Sequence, residues 1–384
     1  MKNLPLLALL FLAACSKSVD KLYVNDQKAE KESCSFGISR FNLAKRARIN
    51  KDFTSRAPKN SGSGTTTLAN PGVILLDFTG YLVSNTSWNV AGDINCAPAN
   101  LSTDDIATIV QRVTNDYSPF NMIVTTDESV YNNANVAKRM RVVITETWEW
   151  YGQAGGVSYV GSFTWGDNTP CFVFSSLLNY NVKTIAEACS HEAGHTLGLR
   201  HQSVYDANCV KISEYNYGQG TGEIGWAPIM GVGNYQNLTL WHKGTNSVAC
   251  SIIQDDVATI GSVVGFKNDD YSNTTSGAAS LTTSLSGVIN NNTDVDFFSV
   301  NLATSKNISA IPFNVGPANA GADVDLVLKI YNSKGSLLSV IDNPSTLDVS
   351  TTLAPGNYFV SVSTIDNLYT TRYGMLGKYT ISLN

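Results

Sequence analysis

The histidines of this chain are concentrated in one short stretch. The sequence has four histidines, and three of them lie in HEAGHTLGLRH, residues 191–201. His191 and His195 are four residues apart, so on an α-helix their side chains lie one turn apart on the same face and can share one metal ion. The spacing therefore predicts half of a zinc site.

A third ligand is expected where this helix ends. Gly198 can adopt the left-handed conformation with which many helices terminate, and the chain can then turn sharply. His201 can thus supply a third nitrogen at about 2.1 Å from a metal, which leaves the fourth tetrahedral position for water, as in catalytic zinc sites. Glu192, beside the first ligand, is expected to take a proton from that water as general base.

The pattern H-E-x-x-H-x-x-G-x-x-H resembles the metzincin clan of zinc endopeptidases. The resemblance implies a methionine-containing turn beneath the metal, and the segment WAPIMGVG supplies Met230. Some metzincins carry a tyrosine ligand two residues later, where this chain has Val232, so a fifth ligand of that kind is not expected. The alternative is a helix whose histidines are ordinary surface or core residues.

Apolar patterns before the zinc segment predict the elements that position it. VILLDF, MIVTT and RVVIT are typical of strands, and STDDIATIVQRVTNDY is typical of a helix that starts with Ser102 and Asp105 in capping-box spacing. The predicted fold class is α+β: a metzincin-like α/β catalytic domain with a twisted mixed sheet and a zinc helix, followed by an all-β sandwich.

Four residues before the zinc helix have the pattern of an edge strand, with glycines that allow close backbone approach. They are Gly155, Gly156, Val157 and Ser158. In metzincins the edge strand pairs with the extended substrate, so the resemblance implies that these residues hold a peptide over the metal. An ordinary hairpin is the alternative.

Segments in residues 72–266 together resemble a bacterial family of reprolysin-like secreted metallopeptidases. They include LDFTGYLV, DYSPFNMIVTTD, GGVSYVGSFTWG and GWAPIMGVG, besides the zinc segment itself. The resemblance implies one catalytic Zn²⁺ and a protein or peptide substrate, in a catalytic domain that we place at residues 71–268.

The N-terminus is typical of an exported lipoprotein. Lys2 and the apolar run after it predict a signal peptide over residues 1–14, too short to span a bilayer stably. LAAC resembles the lipobox of bacterial lipoproteins, which implies lipidation of Cys15 and a membrane anchor. The expected location is the bacterial cell envelope, at the outer membrane or cell surface, or release by processing. An ordinary signal peptide is the alternative.

Residues 15–70 are polar and predict a tether or a short propeptide. Cys34 could occupy the open metal position and keep an enzyme latent, although SCSFG differs from the matrixin cysteine switch. The six cysteines beyond Cys15 permit three disulfides in an exported protein, and a bridge between Cys189 and Cys209 would fix the loop that carries His201.

The C-terminal part has short alternating apolar runs separated by Gly, Pro and Asn turns. They predict a linker at residues 269–280 and a β-sandwich at residues 281–384, which resembles the bacterial pre-peptidase C-terminal domain. Four aspartates in it could bind Ca²⁺ or serve as turn residues, and both interpretations remain open: Asp294, Asp296, Asp323 and Asp325.

The net charge of −5 gives no basic surface for nucleic acid. The predicted function is a zinc-dependent endopeptidase that cleaves proteins outside the cytoplasm. An envelope adhesion or binding lipoprotein with a non-proteolytic metzincin fold is the alternative, and hydrolysis of a non-peptide amide is also left open. The sequence predicts no particular oligomeric state.

Overall fold

The structure is a computed structural model that describes residues 70–313 and 321–384, together with the backbone of residues 33–37. The signal peptide, the lipidation site Cys15, most of the predicted tether and the side chain of Cys34 lie outside the described residues. No described helix is long and apolar enough to cross a membrane.

The N-terminal two thirds of the chain carries all four α-helices of the described residues. The helices are α1 Thr103–Asp116, α2 Glu128–Asn133, α3 Val182–Thr196 and α4 Asp256–Val264, with two 3₁₀ turns at Val136–Lys138 and Ser162–Thr164. The strands of this part are β1 Ser33–Gly37, β2 Gly72–Asp77, β3 Tyr81–Val83, β4 Ile94–Cys96, β5 Met122–Thr125, β6 Arg139–Thr145, β7 Ala154–Tyr159, β8 Cys171–Phe174, β9 Val204–Tyr205, β10 Lys211–Ser213, β11 Trp226–Pro228, β12 Leu238–Leu240, β13 Lys243–Thr245 and β14 Ile253–Asp255.

A six-stranded mixed sheet organises this part of the molecule, in the order β1-β7-β8-β6-β2-β5. Strands β5, β2, β6 and β8 are parallel, and β7 is antiparallel to β8. All six residues of β2 are buried, as expected of a parallel strand covered on both faces. The predicted alternation of strands and helices before the zinc helix is confirmed.

Helix α1 begins where its capping residues predict. The Ser102 Oγ accepts a hydrogen bond from the Asp105 backbone N–H at 3.1 Å, which satisfies one of the free donors at the helix N-terminus. Ile109 and Val113 on its apolar face are fully buried. This face packs α1 beside α3.

Helix α3 carries His191, Glu192 and His195 through the core. Asn181 caps its N-terminus by accepting the Thr184 N–H at 2.9 Å. Because nearly the whole helix is buried, its polar groups need internal partners. Tyr117 Oη donates to the Ser190 carbonyl at 2.9 Å, and Lys183 Nζ donates to the Gly233 carbonyl at 2.7 Å.

Strand β7 contains the residues for which an exposed edge strand was predicted. It is not at the edge: β1 pairs with it antiparallel along its outer side, and β8 pairs with its inner side. The edge prediction is therefore wrong for the described chain. The pairing could not be predicted from the sequence because β1 comes from a polar segment far upstream.

One disulfide is present among the described residues, and it joins Cys209 to Cys250. The predicted bridge between Cys189 and Cys209 is wrong, because α3 places Cys189 in the core whereas Cys209 lies on an exposed loop. Cys96 and Cys171 are likewise buried and free. The bridge closes a segment that follows α3 in the chain.

The C-terminal part is built of strands, as predicted. They are β15 Ala279–Ser280, β16 Ser284–Ile289, β17 Asp296–Leu302, β18 Lys306–Pro312, β19 Leu326–Asn332, β20 Leu337–Ile341, β21 Val349–Leu353, β22 Gly356–Thr364 and β23 Gly377–Leu383. A five-stranded sheet has the order β15-β17-β22-β19-β20, and a four-stranded sheet has the order β16-β23-β18-β21. Buried side chains of both sheets share one apolar cluster.

The C-terminal strands pack directly on the catalytic part, since that apolar cluster also includes residues of α1 and α3. The Thr239 N–H donates to the Ala322 carbonyl at 2.8 Å, and the Ala322 N–H donates to the Asn237 carbonyl at 2.7 Å. Asn115 at the end of α1 donates from Nδ2 to Asp323 Oδ2 at 2.6 Å. The two parts are therefore joined by backbone and side-chain hydrogen bonds as well as by apolar contacts.

Candidate metal centre

The structure brings the three predicted histidine ligands together. His191, His195 and His201 are fully buried, and each offers one ligand atom within 4.8 Å of the others. The ring centroids of His191 and His195 are 4.6 Å apart, and that of His201 lies 5.2 Å and 4.8 Å from them respectively. Three imidazoles at such distances can hold one metal ion.

Each imidazole is oriented by a hydrogen bond at Nδ1. His191 Nδ1 contacts the Ile229 carbonyl at 2.8 Å, and His195 Nδ1 contacts the Leu199 carbonyl at 2.8 Å. Since a carbonyl oxygen can only accept, both Nδ1 atoms carry hydrogen, and each Nε2 presents a lone pair. The buried Nε2 of His195 makes no hydrogen bond among the described residues. This is the tautomer that metal-ligating histidines adopt.

The electrostatics of the site also suit a cation bound by neutral ligands. Burial lowers the pKa of His191 well below its usual value, and the neighbouring His201 adds to the effect. Burial likewise lowers the pKa of His195, with contributions from His191 and His201. Imidazole nitrogens in a closed three-histidine arrangement fit Zn²⁺ and leave a further coordination position.

Glu214 orients the third histidine, a role that sequence reasoning missed. His201 Nδ1 donates to Glu214 Oε1 at 2.9 Å, and Lys211 Nζ donates to Glu214 Oε2 at 2.7 Å. Burial raises the pKa of Glu214, but the hydrogen bonds from His201 and Lys211 outweigh it and hold that pKa below its usual value. A carboxylate on a ligating histidine fixes the ring and strengthens its basicity.

The turn that returns His201 follows the predicted geometry. Helix α3 ends at Thr196, and Gly198 has a φ of 102°, in the left-handed region that favours glycine. The Gly198 N–H donates to the His195 carbonyl at 2.9 Å, and the Leu199 N–H donates to the Gly194 carbonyl at 3.1 Å. These bonds satisfy the last carbonyls of the helix while the chain reverses.

Met230, the residue expected in a methionine-containing turn, packs against α3 at Gly194. It is fully buried, and its carbonyl accepts the Gln202 N–H at 2.8 Å, one residue after His201. Gly194, between the two helical ligands, leaves room for it: a Cβ there would lie 2.7 Å from Met230 Sδ. The turn therefore supports the metal-binding part of α3 through direct packing.

Glu192 lies in a cradle made by β7. It is fully buried, and Ser158 Oγ lies 2.8 Å from its carbonyl oxygen and also in hydrogen-bond contact with Oε2. A Cβ at Gly156 would lie 2.7 Å from both Cγ and Oε1 of Glu192. At Gly156 the group that approaches closely is therefore the Glu192 side chain. Gly155 and Val157 belong to the same strand, and Val157 is buried.

The aspartates proposed as calcium ligands do not form one group. Asp269, Asp270 and Asp296 offer carboxylate oxygens within 4.8 Å of one another, whereas Asp323 lies at the interface with α1. Asp325 instead accepts a hydrogen bond from Asn367 at 2.9 Å. Of the four aspartates that could bind Ca²⁺ or serve as turn residues, only Asp296 belongs to such a carboxylate group among the described residues. Asp269 and Asp270 lie near Asp296 because the linker contacts β17, where the Phe297 N–H donates to the Ser272 carbonyl at 3.0 Å.

The helix-borne histidine pair, the third histidine from the following turn and the buried glutamate together define the site of a zinc metallopeptidase. Comparison with known families agrees. Residues 79–239 match the family described as dual-action HEIGH metallopeptidases. The match covers fewer than half of the 384 residues, and the HEIGH letters correspond to HEAGH here, with Ala193 at the third position. It supports a zinc metallopeptidase, and the finer reprolysin-like relationship stays a prediction.

Other comparisons give only distant likenesses. The pre-peptidase C-terminal domain of collagenase from Bacillus anthracis is 14% identical, with 31% of this chain and 98% of that chain covered and a TM-score of 0.21. PliG, a periplasmic inhibitor of g-type lysozyme from Aeromonas hydrophila, is 11% identical, with 26% and 84% covered and a TM-score of 0.17. A search of curated proteins found no significant match.

Proposed function

We propose that this chain is a zinc-dependent endopeptidase of metzincin-like fold that cleaves proteins outside the cytoplasm. The observation that carries the proposal is the closure of His191, His195 and His201 around one point, with Glu192 on the same helix. A zinc ion held by three imidazoles supplies Lewis acidity and makes water nucleophilic at neutral pH.

The other roles in the proposed mechanism are assigned to residues of this chain. The three histidines are held in the ligating tautomer by Ile229, Leu199 and Glu214. Glu192, the only carboxylate between the two helical ligands, is assigned as general base: it accepts a proton from the attacking water and passes it to the leaving amine. Its burial keeps the carboxylate away from bulk water.

Replacing the proposed base tests the mechanism. Glu192→Gln keeps the size of the side chain but cannot accept the proton, so cleavage of denatured casein is expected to fall by about 10² to 10⁴-fold. Zinc content, measured on the purified protein by mass spectrometry, is expected to stay near that of the unmodified chain. Glu149→Gln, at an exposed glutamate, is the matched control and should keep full activity. Equal cleavage by Glu192→Gln would refute the assignment.

We further propose that the protein is exported and held at the bacterial envelope through a lipid on Cys15. The lipobox-like LAAC and the preceding apolar run support this location. The test is to fractionate cells that express the unmodified chain or Cys15→Ser and to measure how much of each protein is in the membrane fraction. Retention of that variant in the membrane fraction would contradict lipid anchoring.

A calcium ion is proposed at Asp269, Asp270 and Asp296. Asp294 and Asp296 are almost fully buried, and their Oδ1 atoms have no hydrogen-bond partner among the described residues. Burial, and then the charge of Asp294, raise the pKa of Asp296 to about 8. A bound cation would therefore offset the repulsion among these carboxylates. Millimolar CaCl₂ should raise the melting temperature of the unmodified protein and not that of Asp296→Asn. No shift in either would exclude the site.

A further inference from the structure

The outer side of β7 is covered by a segment of the same chain. Strand β1 pairs with β7 in antiparallel register, with Cys34 opposite Ser158, Ser35 opposite Val157 and Phe36 opposite Gly156. The other side of β7 is already occupied by β8. Any extended peptide that adds to this strand must therefore use the side where β1 lies.

This side of β7 runs past the proposed catalytic base. Ser158 and Gly156, which face β1 residues across the ladder, are the two residues that cradle Glu192. The backbone of β1 also approaches α3, the helix that carries two of the metal ligands. A peptide paired at this position passes beside the metal centre, whichever chain it belongs to.

We propose that residues 33–37 are an intramolecular strand that occupies the substrate-binding side of β7 and keeps the enzyme latent. This inference rests on the proposed endopeptidase function. Backbone pairing is largely independent of side chains, so a segment of the chain can take the place of an extended protein substrate. As a tethered segment it acts at an effective concentration of about a millimolar, against which a dilute substrate competes poorly.

Proline substitutions in β1 test the inference on the full chain. Neighbouring strand residues present their N–H groups to opposite sides, so the double variant Ser35→Pro/Phe36→Pro removes one donor that faces β7. The matched control is Thr65→Pro/Thr66→Pro, in the same N-terminal segment but outside β1. Two readouts are needed: the rate of casein cleavage, and binding of a fluorescein-labelled peptide with the sequence of residues 31–39, measured by anisotropy. Zinc content and thermal unfolding establish that each variant is folded.

The β1 variant is expected to cleave casein at least about 10-fold faster than the unmodified chain, as expected when a tethered competitor is lost. It should also bind the labelled peptide, whereas the unmodified chain and the control variant should not. Equal, measurable cleavage by all three proteins would overturn the inference. So would equal peptide binding by all three, or binding by none.

Failure of the proposed endopeptidase function and failure of the latency inference give different results. If no protein cleaves casein although zinc is bound, endopeptidase activity is contradicted while the peptide readout still decides whether β1 occupies this surface. Binding to the β1 variant alone would then support the occupancy.

Discussion

Ser158 and Glu192 lie 34 residues apart in the sequence and in direct contact in the structure. The histidine spacing could be predicted because helix periodicity is local, and the role of Gly198 followed from its known backbone preference. The partners of these residues could not be predicted in the same way. Ser158 and Glu214 are ordinary polar residues whose roles arise only when distant segments return to the helix.

Ser158 is expected to position the base. Its Oγ has one proton, shared between two oxygens of Glu192, so Ser158→Ala leaves the buried carboxylate less firmly held. The turnover number is expected to fall about 10-fold, equal to about 1.4 kcal/mol, with a smaller change in KM. Steady-state kinetics on a quenched fluorescent peptide measures the turnover number and KM separately. Ser162→Ala, where a buried Oγ has no hydrogen-bond partner among the described residues, is the control. Rescue of activity in Ser158→Thr would support positioning, and unchanged kinetics in Ser158→Ala would exclude it.

At the scale of elements, the sequence predicted most strands and helices of the catalytic part, because buried parallel strands and capped helices have strong local patterns. It failed at the border of the sheet. Strand β7 was expected to be exposed, but β1 covers it. The short polar segment that forms β1 has no alternating apolar pattern that would predict a strand. Its pairing with β7 could not be predicted either, because only the folded sheet shows which strand edge is free to pair.

The turn after α3 has a testable energetic role. Gly198→Ala places a side chain at a φ of 102° and is expected to destabilise the protein by about 1 kcal/mol. It should also weaken zinc binding, measured by competition with a chelator, because this turn returns His201 to the site. Gly277→Ala, at a φ of 97° in the segment before β15, is the matched control. It should lose similar stability with unchanged zinc affinity, and an equal loss of affinity in both variants would contradict the role.

At the scale of the whole molecule, buried carboxylates join the two parts. Asp116, which accepts a hydrogen bond from Ser190 on α3, lies near Asp323 of the C-terminal part. Burial, and then the charge of Glu187, raise the pKa of Asp116 to about 7, while burial and the charge of Asp116 raise that of Asp323. The sequence could not predict this pair, because each aspartate resembled an ordinary helix-end or turn residue.

This interface gives a pH dependence with a defined sign. A carboxyl group whose pKa is raised by folding binds its proton more tightly in the native state, so its stabilising effect is complete below about pH 4 and lost as the pH rises through about 7. Asp323→Asn removes one of the two interacting charges. The decrease in melting temperature between pH 5 and pH 8 should therefore be about 3 °C smaller in this variant than in the unmodified protein. Thermal unfolding at matched ionic strength measures it. Asp93→Asn, at an exposed aspartate, should follow the unmodified curve. Parallel curves for all three proteins would contradict the coupling.

The hydrogen bonds of Ala322 with Thr239 and Asn237 also bear on the order in which this protein matures. A ribosome releases residue 322 after the entire histidine segment, so the nascent chain lacks the surface against which its catalytic half finally packs. The packing of the catalytic half is therefore completed by residues that are synthesised after it, and a chain interrupted before Ala322 would leave the Asn237 carbonyl and the Thr239 N–H without these partners.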